Sequence, residues 1–223
     1  IQYKKPAAQH DVAIEEIVVP TNAKTHLRKN PSCIHPSIVI RNLGGKPLKQ
    51  CVIEYSTIGF GKQSYVWKGN LLFNRQAVIA LPGEVQGKTG ENTFNVSVTA
   101  PNGKKDDNSS DNTMHTVFTK APVHGSELVF HLRTNKQPQQ NEYVVRNSDG
   151  KILYERALGT LNAETDYRDT FHLAPGCYEL VLKDTAHNGL EFWFNTRGGR
   201  GFARLLDSKG QYLKNFDLDF GSG

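Results

Sequence analysis

The stretch "TFNVSVTA", residues 93–100, has the pattern that decides the fold of this chain. Its apolar residues Phe94, Val96 and Val98 alternate with polar residues. A period of two places apolar side chains on one face of a β-strand and polar side chains on the other. The stretch therefore predicts a strand that covers a hydrophobic core with one face and meets water with the other.

Six more stretches of the first half have strand-like patterns, and helical periodicity is almost absent. They are residues 11–19, 36–42, 50–58, 64–67, 76–81 and 113–119. Turns rich in Gly, Pro and Asn separate them. Seven short strands with this spacing predict a β-sandwich of the immunoglobulin or fibronectin-like class.

The stretch "KAPVHGSE", residues 120–127, interrupts the strand pattern with Pro122 and Gly125. We therefore expect two domains, residues 1–122 and 123–223, each long enough for its own core. The second half holds eight further strand candidates, among them the aromatic stretch "GLEFWFN" at 189–195. These predict a second β-sandwich of jelly-roll or CUB-like type, and the fold class is all-β.

The charge of the chain is modest and unevenly distributed. The net charge is +5, and residues 1–122 hold 15 basic and 9 acidic side chains. The basic residues are scattered, which argues against nucleic acid as a partner. No stretch of about 18 apolar residues occurs, so we expect no membrane insertion. Because the chain starts at Ile1, we expect a mature product or a segment of a longer protein.

Three cysteines, Cys33, Cys51 and Cys177, show no metal-binding spacing. Cys33 and Cys51 would pair only in an exported protein. The predicted hairpin separates them by roughly 20 Å at ~3.3 Å per residue, whereas a disulfide requires Cα atoms within about 7 Å. The pair can form only if the segment before Pro36 folds back, and this stays open.

The most polar stretch, "PNGKKDDNSSDN" at 101–112, raises the question of a calcium site. It is no EF-hand, because counting from Asp106 gives no glycine at the sixth position and no glutamate at the twelfth. Asp106, Asp107 and Asp111 could form an irregular calcium site. The alternative, which the composition favours, is a solvated loop opened by an Asn102-Gly103 turn.

The second calcium candidate is "KDTAHNGLEFWF", residues 183–194. Asp184, Asn188 and the backbone carbonyls near Gly189 could surround a cation. Alternatively, the two side chains hydrogen-bond to the backbone of a loop between two core strands. The nearby "NTRGGRGF" at 195–202 predicts a flexible loop rather than an RNA contact.

Two tryptophans are candidates for ligand binding, because sugar faces stack on flat aromatic rings. Trp67 lies near a turn, and Trp193 alternates out of phase with Phe192 and Phe194. The alternative is that both rings pack at sheet edges. No GxSxG, HExxH, Walker or Rossmann motif occurs, so no catalytic residue is assigned, and calcium is the single cofactor considered.

Part of the first half resembles a known module. The matching elements are "RNLG" (41–44), "IEYSTIG" (53–59), "WKGNL" (67–71), "ALPG" (80–83) and "VTAPNG…D…DN" (98–112). In this order they resemble the CARDB type of fibronectin-like module of secreted and surface-attached bacterial proteins. The resemblance implies an adhesion or spacer module without catalysis of its own, with the polar run between its last two strands.

The second half, with "APGCYELVLKDTAHNGLEFW", is similar to C-terminal sandwich domains of exported bacterial enzymes. We therefore expect a non-catalytic adhesion, spacer or ligand-binding C-terminal region of an exported bacterial protein, secreted or attached to the cell surface. Its partners would be a surface protein or glycan and a preceding domain of the same precursor. The alternative is part of a secreted hydrolase, such as a peptide-N-glycosidase F-like amidase, with catalysis upstream or in the cleft between the domains.

Overall fold

The structure is a computed structural model, which describes residues 8–191 and 196–219. Its regular elements are antiparallel β-strands and short 3-10 turns, so the all-β prediction is confirmed. The chain divides into two compact units, residues 1–122 and 123–223. Across the described ranges, no helix has the length and apolar character that crossing a lipid bilayer requires.

Unit 1 contains two antiparallel sheets that enclose one hydrophobic core. Its strands are β1 (Val12–Val19), β2 (Ser37–Asn42), β3 (Leu48–Thr57), β4 (Gln63–Leu71), β5 (Gln76–Ala80), β6 (Glu91–Thr99) and β7 (Thr113–Thr119). The strand orders are β1-β2-β5 and β4-β3-β6-β7. Phe94, Val96 and Val98 of β6 point into this core, as their alternation predicts.

The strands of unit 1 lie where the alternation predicts them, with one clear difference in length. The pattern predicts a fourth strand over residues 64–67, whereas β4 continues to Leu71. Its second half is polar and stays paired with β3 across a register shift between Leu48 and Gln50. Backbone pairing, and not an apolar pattern, therefore extends this strand.

A tight turn follows β2 at the "RNLG" sequence. The buried amide of Asn42 donates hydrogen bonds to the carbonyls of Lys46 (3.0 Å) and Leu71 (2.8 Å) and accepts one from the Gly44 N–H (3.1 Å). A Cβ atom at Gly44 would lie 2.6 Å from the Gln9 carbonyl oxygen. Only glycine lets the chain before β1 approach this closely.

The connection between β6 and β7 contains two short 3-10 turns, Pro101–Gly103 and Ser109–Asp111. Asn102 and Gly103 have φ values of 54° and 73°, so the predicted Asn-Gly turn with positive φ is confirmed. The Asn102 amide accepts a hydrogen bond from the Lys49 N–H (2.7 Å) and donates one to the Pro47 carbonyl (3.1 Å). These two bonds fix the start of the connection against the start of β3.

The strands in the described part of unit 2 are β8 (Glu127–Arg133), β9 (Asn141–Asn147), β10 (Ile152–Arg156), β11 (Asp166–His172), β12 (Tyr178–Asp184), β13 (Phe202–Asp207) and β14 (Tyr212–Asn215). They form two antiparallel sheets, with strand orders β10-β9-β12 and β11-β8-β13-β14. The predicted strand at 189–195 falls mainly on residues 192–195, outside the described residues.

Three buried aromatic rings pack together in the core of unit 2. The Phe130 and Tyr143 rings meet edge to face with 4.8 Å between their centroids, and Phe171 stacks near Phe130 at 6.3 Å. Aromatic pairs in these orientations add to the stabilisation that their burial gives.

Cys51 lies on β3, opposite Trp67 of β4, and is a buried free thiol. Burial raises the pKa of this thiol to about 12. Since the Cys51 sulfur is free, the disulfide between Cys33 and Cys51 is not formed.

Candidate functional site

A shallow groove of about 320 Å³ lies on the outer face of the four-stranded sheet of unit 1. On β3 and β6 the core side chains Tyr55 and Val96 point inward, so their neighbours along each strand point outward. The floor has two rows of polar side chains: Glu54, Ser97 and Thr113 in one, and Ser56, Asn95 and His115 in the next. We call this surface the polar groove.

Most side chains of the polar groove have no hydrogen-bond partner among the described residues of the protein. Glu54 is the exception, because its carboxylate forms an ion pair of 2.7 Å with the Lys62 ammonium at the groove wall. The remaining hydroxyl, amide and imidazole groups stay available to a ligand. Adjacent strands are about 4.8 Å apart, so these groups form a flat grid of donors and acceptors.

Trp67, predicted as a ligand platform, is a half-buried residue that packs against the core of unit 1. A Cβ atom placed on Gly69 would be 2.4 Å from the Trp67 Cζ2 atom, so the ring covers Gly69. One face of this ring is therefore used in packing within the protein. Trp193, the other predicted platform, lies outside the described residues.

The Asp184 carboxylate, predicted as a calcium ligand, is buried and surrounded by backbone donors. Its two oxygens accept hydrogen bonds from the N–H groups of Ala186 (3.0 Å), Asn188 (2.7 Å) and Gly189 (2.5 Å). The Asn188 amide oxygen accepts a further bond of 2.7 Å from Gln140. In this arrangement Asp184 organises the loop that follows β12, as the alternative interpretation expects.

The aspartates of the β6–β7 connection contact the start of β1. Asp107 Oδ2 accepts hydrogen bonds from the N–H groups of Gln9 (2.8 Å) and His10 (2.9 Å), which lower the pKa of Asp107. Asp106 Oδ2 accepts one from the Val12 N–H (3.2 Å). The composition favours a solvated loop, but only 9% of Asp106 is exposed.

Sequence reasoning missed two residues of this region, Asp11 and Asn112. Both are buried, and Asp11 lies close enough to Asp111 and Asp106 for their charges to act on it. Burial and then these charges raise the pKa of Asp11 to about 6. Over the described residues, no group of three or more His, Cys, Asp and Glu side chains is arranged so that it could hold a metal ion.

Unit 2 has a second open groove, of about 350 Å³, beside an ionic network. The Arg156 guanidinium donates two hydrogen bonds to the Asp169 carboxylate (2.7 and 2.6 Å), and the Tyr143 hydroxyl donates a third (2.6 Å). Arg156 also lies over the Tyr167 ring, 4.2 Å from its centroid. Because the carboxylate is saturated by its own neighbours, this groove offers less to a ligand than the polar groove.

No protein-family model matches the chain, and no curated protein matches it. One solved structure that resembles it is the 272–376 domain of a protein described as a cell surface protein from Methanosarcina acetivorans. That likeness has 16% sequence identity and a TM-score of 0.38, and covers 52% of this chain and 96% of the other.

Proposed function

We propose that this chain is a non-catalytic ligand-binding region of an exported bacterial protein, and that it binds a glycan through the polar groove of unit 1. One observation carries the proposal. Five side chains of the groove floor (Ser56, Asn95, Ser97, Thr113 and His115) project from paired strands and have no hydrogen-bond partner among the described residues.

Hydroxyl, amide and imidazole groups match the chemistry of a sugar, whose hydroxyls both donate and accept hydrogen bonds. A groove of this volume lies at the lower end of the usual range for ligand sites. The exposed Phe60 belongs to the same β3–β4 loop as the groove residue Lys62, and supplies an apolar surface near the groove. An interface with a flat protein surface usually has a larger apolar centre than this groove has.

The architecture of unit 1 fits this role. Its strand order, β1-β2-β5 and β4-β3-β6-β7, supports the fibronectin-like interpretation, in which the outer face of the larger sheet is free for binding. The sequence resemblance to CARDB modules supports an adhesion or spacer role at the cell surface. The jelly-roll or CUB-like type remains our proposal for unit 2.

The test is a printed array of bacterial and host glycans, probed with the full chain. We expect binding to a restricted set of glycans. Replacing Asn95→Ala and His115→Ala together should weaken that binding about tenfold, because two hydrogen-bonding groups are lost. The matched control is His172→Ala, which removes an exposed histidine of unit 2 and should leave binding unchanged.

Four outcomes would contradict the proposal. Absence of any array signal would show that the chain does not bind these glycans. Capture of a surface protein through the same groove would show that the ligand is a protein and not a glycan. Binding that survives the double substitution would place the ligand elsewhere. Release of glycan from a test glycopeptide by the chain would favour the peptide-N-glycosidase F-like alternative over a binding region.

A further inference from the structure

Four buried polar atoms of unit 1 have no hydrogen-bond partner, and all four lie in residues of one region. They are Asp11 Oδ1, Asp111 Oδ1, Asn112 Oδ1 and His10 Nδ1. Across the described part of unit 1, no other buried side-chain nitrogen or oxygen lacks a partner. Buried polar atoms in native proteins are nearly always satisfied, so this group of orphans needs a partner that the chain does not supply.

Three of these atoms are oxygens that can only accept from a donor or bind a cation, as long as the carboxylates are ionised. Asp11 is 7% exposed and Asn112 is 6% exposed, so bulk water does not reach most of either residue. An unpaired buried acceptor costs about 1–3 kcal/mol, and an unpaired charge costs more. Three such acceptors lie in this region, and each needs a hydrogen-bond donor or a cation as its partner.

The backbone holds these residues in place. The Asp11 carbonyl accepts hydrogen bonds from the N–H groups of Leu43 and Gly44, both at 3.0 Å. The Asn112 carbonyl accepts one from the Val98 N–H at 2.8 Å. The 3-10 turn Ser109–Asp111 lies against β1. Both sides of the region are therefore anchored to the sandwich, as a preformed ligand site requires.

The charge of the region favours a cation. Asp11, Asp106, Asp107 and Asp111 interact electrostatically, and no ion pair between described residues involves any of them. Like charges this close destabilise the fold unless a counter-charge compensates them. Asp106 and Asp107 accept hydrogen bonds from backbone N–H groups, whereas Asp11 Oδ1 and Asp111 Oδ1 have no hydrogen-bond partner.

We propose that Asp11, Asp111 and Asn112 form a calcium site that joins the β6–β7 connection to the start of β1. Calcium takes six to eight oxygen ligands from carboxylates, amides, backbone carbonyls and water. Two carboxylates and one amide supply the orphan oxygens, and carbonyls and water complete the shell. Because Mg²⁺ requires a small octahedral site and gives up its water reluctantly, this mixed set of oxygens favours calcium.

The site differs from the one that the sequence predicts at Asp106, Asp107 and Asp111. Only Asp111 is shared, and the missing ligands come from the residue before β1 and the residue before β7. It is also independent of the polar groove, so failure of one proposal leaves the other standing. Its role is structural: bound calcium stabilises the folded form by an amount that grows with the logarithm of its free concentration relative to Kd.

The test measures the full chain after removal of metal with a chelator. Titration with CaCl₂ in a calorimeter should give one site, and the Tm should rise with calcium but much less with MgCl₂. Asp11→Asn and Asp111→Asn should each weaken calcium binding about tenfold or more, since each removes a ligand charge. Asp149→Asn, which removes an exposed carboxylate of unit 2 outside this cluster, is the matched control and should keep the calcium-dependent rise in Tm.

Hydrogen exchange on the wild-type chain keeps the test decisive if a variant fails to fold. Calcium should slow exchange of the amides in residues 100–112 and at the start of β1, and should leave unit 2 unchanged. No heat and no Tm shift with CaCl₂ would overturn the proposal. So would calcium binding that survives both substitutions, or an Asp11→Asn chain that is more stable than wild type in calcium, because the region would then hold a proton or water.

Discussion

The ring of Trp67 occupies the space where residue 69 would carry a side chain. A strand glycine usually weakens a sheet, but at position 69 the missing side chain makes room for the largest ring of unit 1. The sequence "WKGN" suggests a turn near Trp67, whereas the structure continues β4 through it to Leu71. Trp67 and Gly69 lie two apart on a strand, so they share a face, and a spacing of two could have indicated their contact.

We expect Gly69→Ala to destabilise the protein by about 1–3 kcal/mol, because the new methyl group overlaps the Trp67 ring and forces it to move. Chemical denaturation measures the change in the free energy of unfolding. Gly61→Ala is the matched control, since a Cβ atom at Gly61 meets nothing within 4 Å. Equal stability of the two variants would mean that the ring does not depend on the space at Gly69.

Burial of individual polar residues could not be predicted from the local sequence. Asp106 and Asp107 look like solvated loop residues because all their neighbours in the chain are polar. Their partners, the backbone N–H groups of Val12, Gln9 and His10, are more than 90 residues away in sequence. Composition describes a stretch by itself, whereas burial depends on which distant segment packs against it.

At the scale of elements, one carboxylate of unit 2 connects strands from both of its sheets. Asp169 lies on β11, and its partners Tyr143 and Arg156 lie on β9 and β10. Burial by itself would raise the pKa of Asp169, but hydrogen bonds from Arg156 and Tyr143 outweigh it and lower the pKa. The charged form of Asp169 therefore stabilises the packing of the two sheets.

Replacing Asp169→Asn should reduce the free energy of unfolding by about 2 kcal/mol at pH 7, the contribution of hydrogen bonds to a charged group. A carboxylate with a lowered folded pKa stabilises the fold above its unfolded pKa of about 3.9 and loses that effect as pH falls through the folded value. The difference between variant and wild type should therefore shrink below about pH 4.

Denaturant titrations of both proteins at pH 7 and pH 3 measure this difference. Asp149→Asn, at an exposed turn between β9 and β10, is the control and should have little effect at either pH. A stability difference that stays constant between the two pH values would show that the Asp169 charge is not the stabilising feature.

The strand pattern could be predicted where one strand face is buried and the other is wet. Residues 93–100 are the clearest example, since the alternation places Phe94, Val96 and Val98 in the core as observed. The pairing order of the strands could not be predicted from the sequence pattern. β5 pairs with β2 and not with its chain neighbour β4, and such choices depend on how whole sheets close over a core.

At the scale of the whole molecule, each unit has its own core. The core of unit 1 is mainly aliphatic, and that of unit 2 combines aliphatic side chains with a cluster of aromatic rings. The cores use the apolar side chains of the strands, whereas the polar groove uses the outward-facing ones. The polar groove consists of the polar half of the same alternation that predicts the strands, so its residues were visible in the sequence as outward-facing positions. Their convergence was not, because it depends on the register that sets Asn95 opposite His115 and Ser56.

The two hydrogen bonds of the Asn102 side-chain amide also affect the rate at which this residue deamidates. An Asn-Gly pair is prone to deamidation, in which the following backbone nitrogen attacks the side-chain amide to close a succinimide ring. In the folded chain this amide is bound to the Lys49 N–H and the Pro47 carbonyl, so both bonds must break before the ring can close. Intact-mass measurements should find that deamidation at Asn102 is slower in the native protein than in the denaturant-unfolded protein. Equal rates would mean that folding does not protect the Asn102 amide.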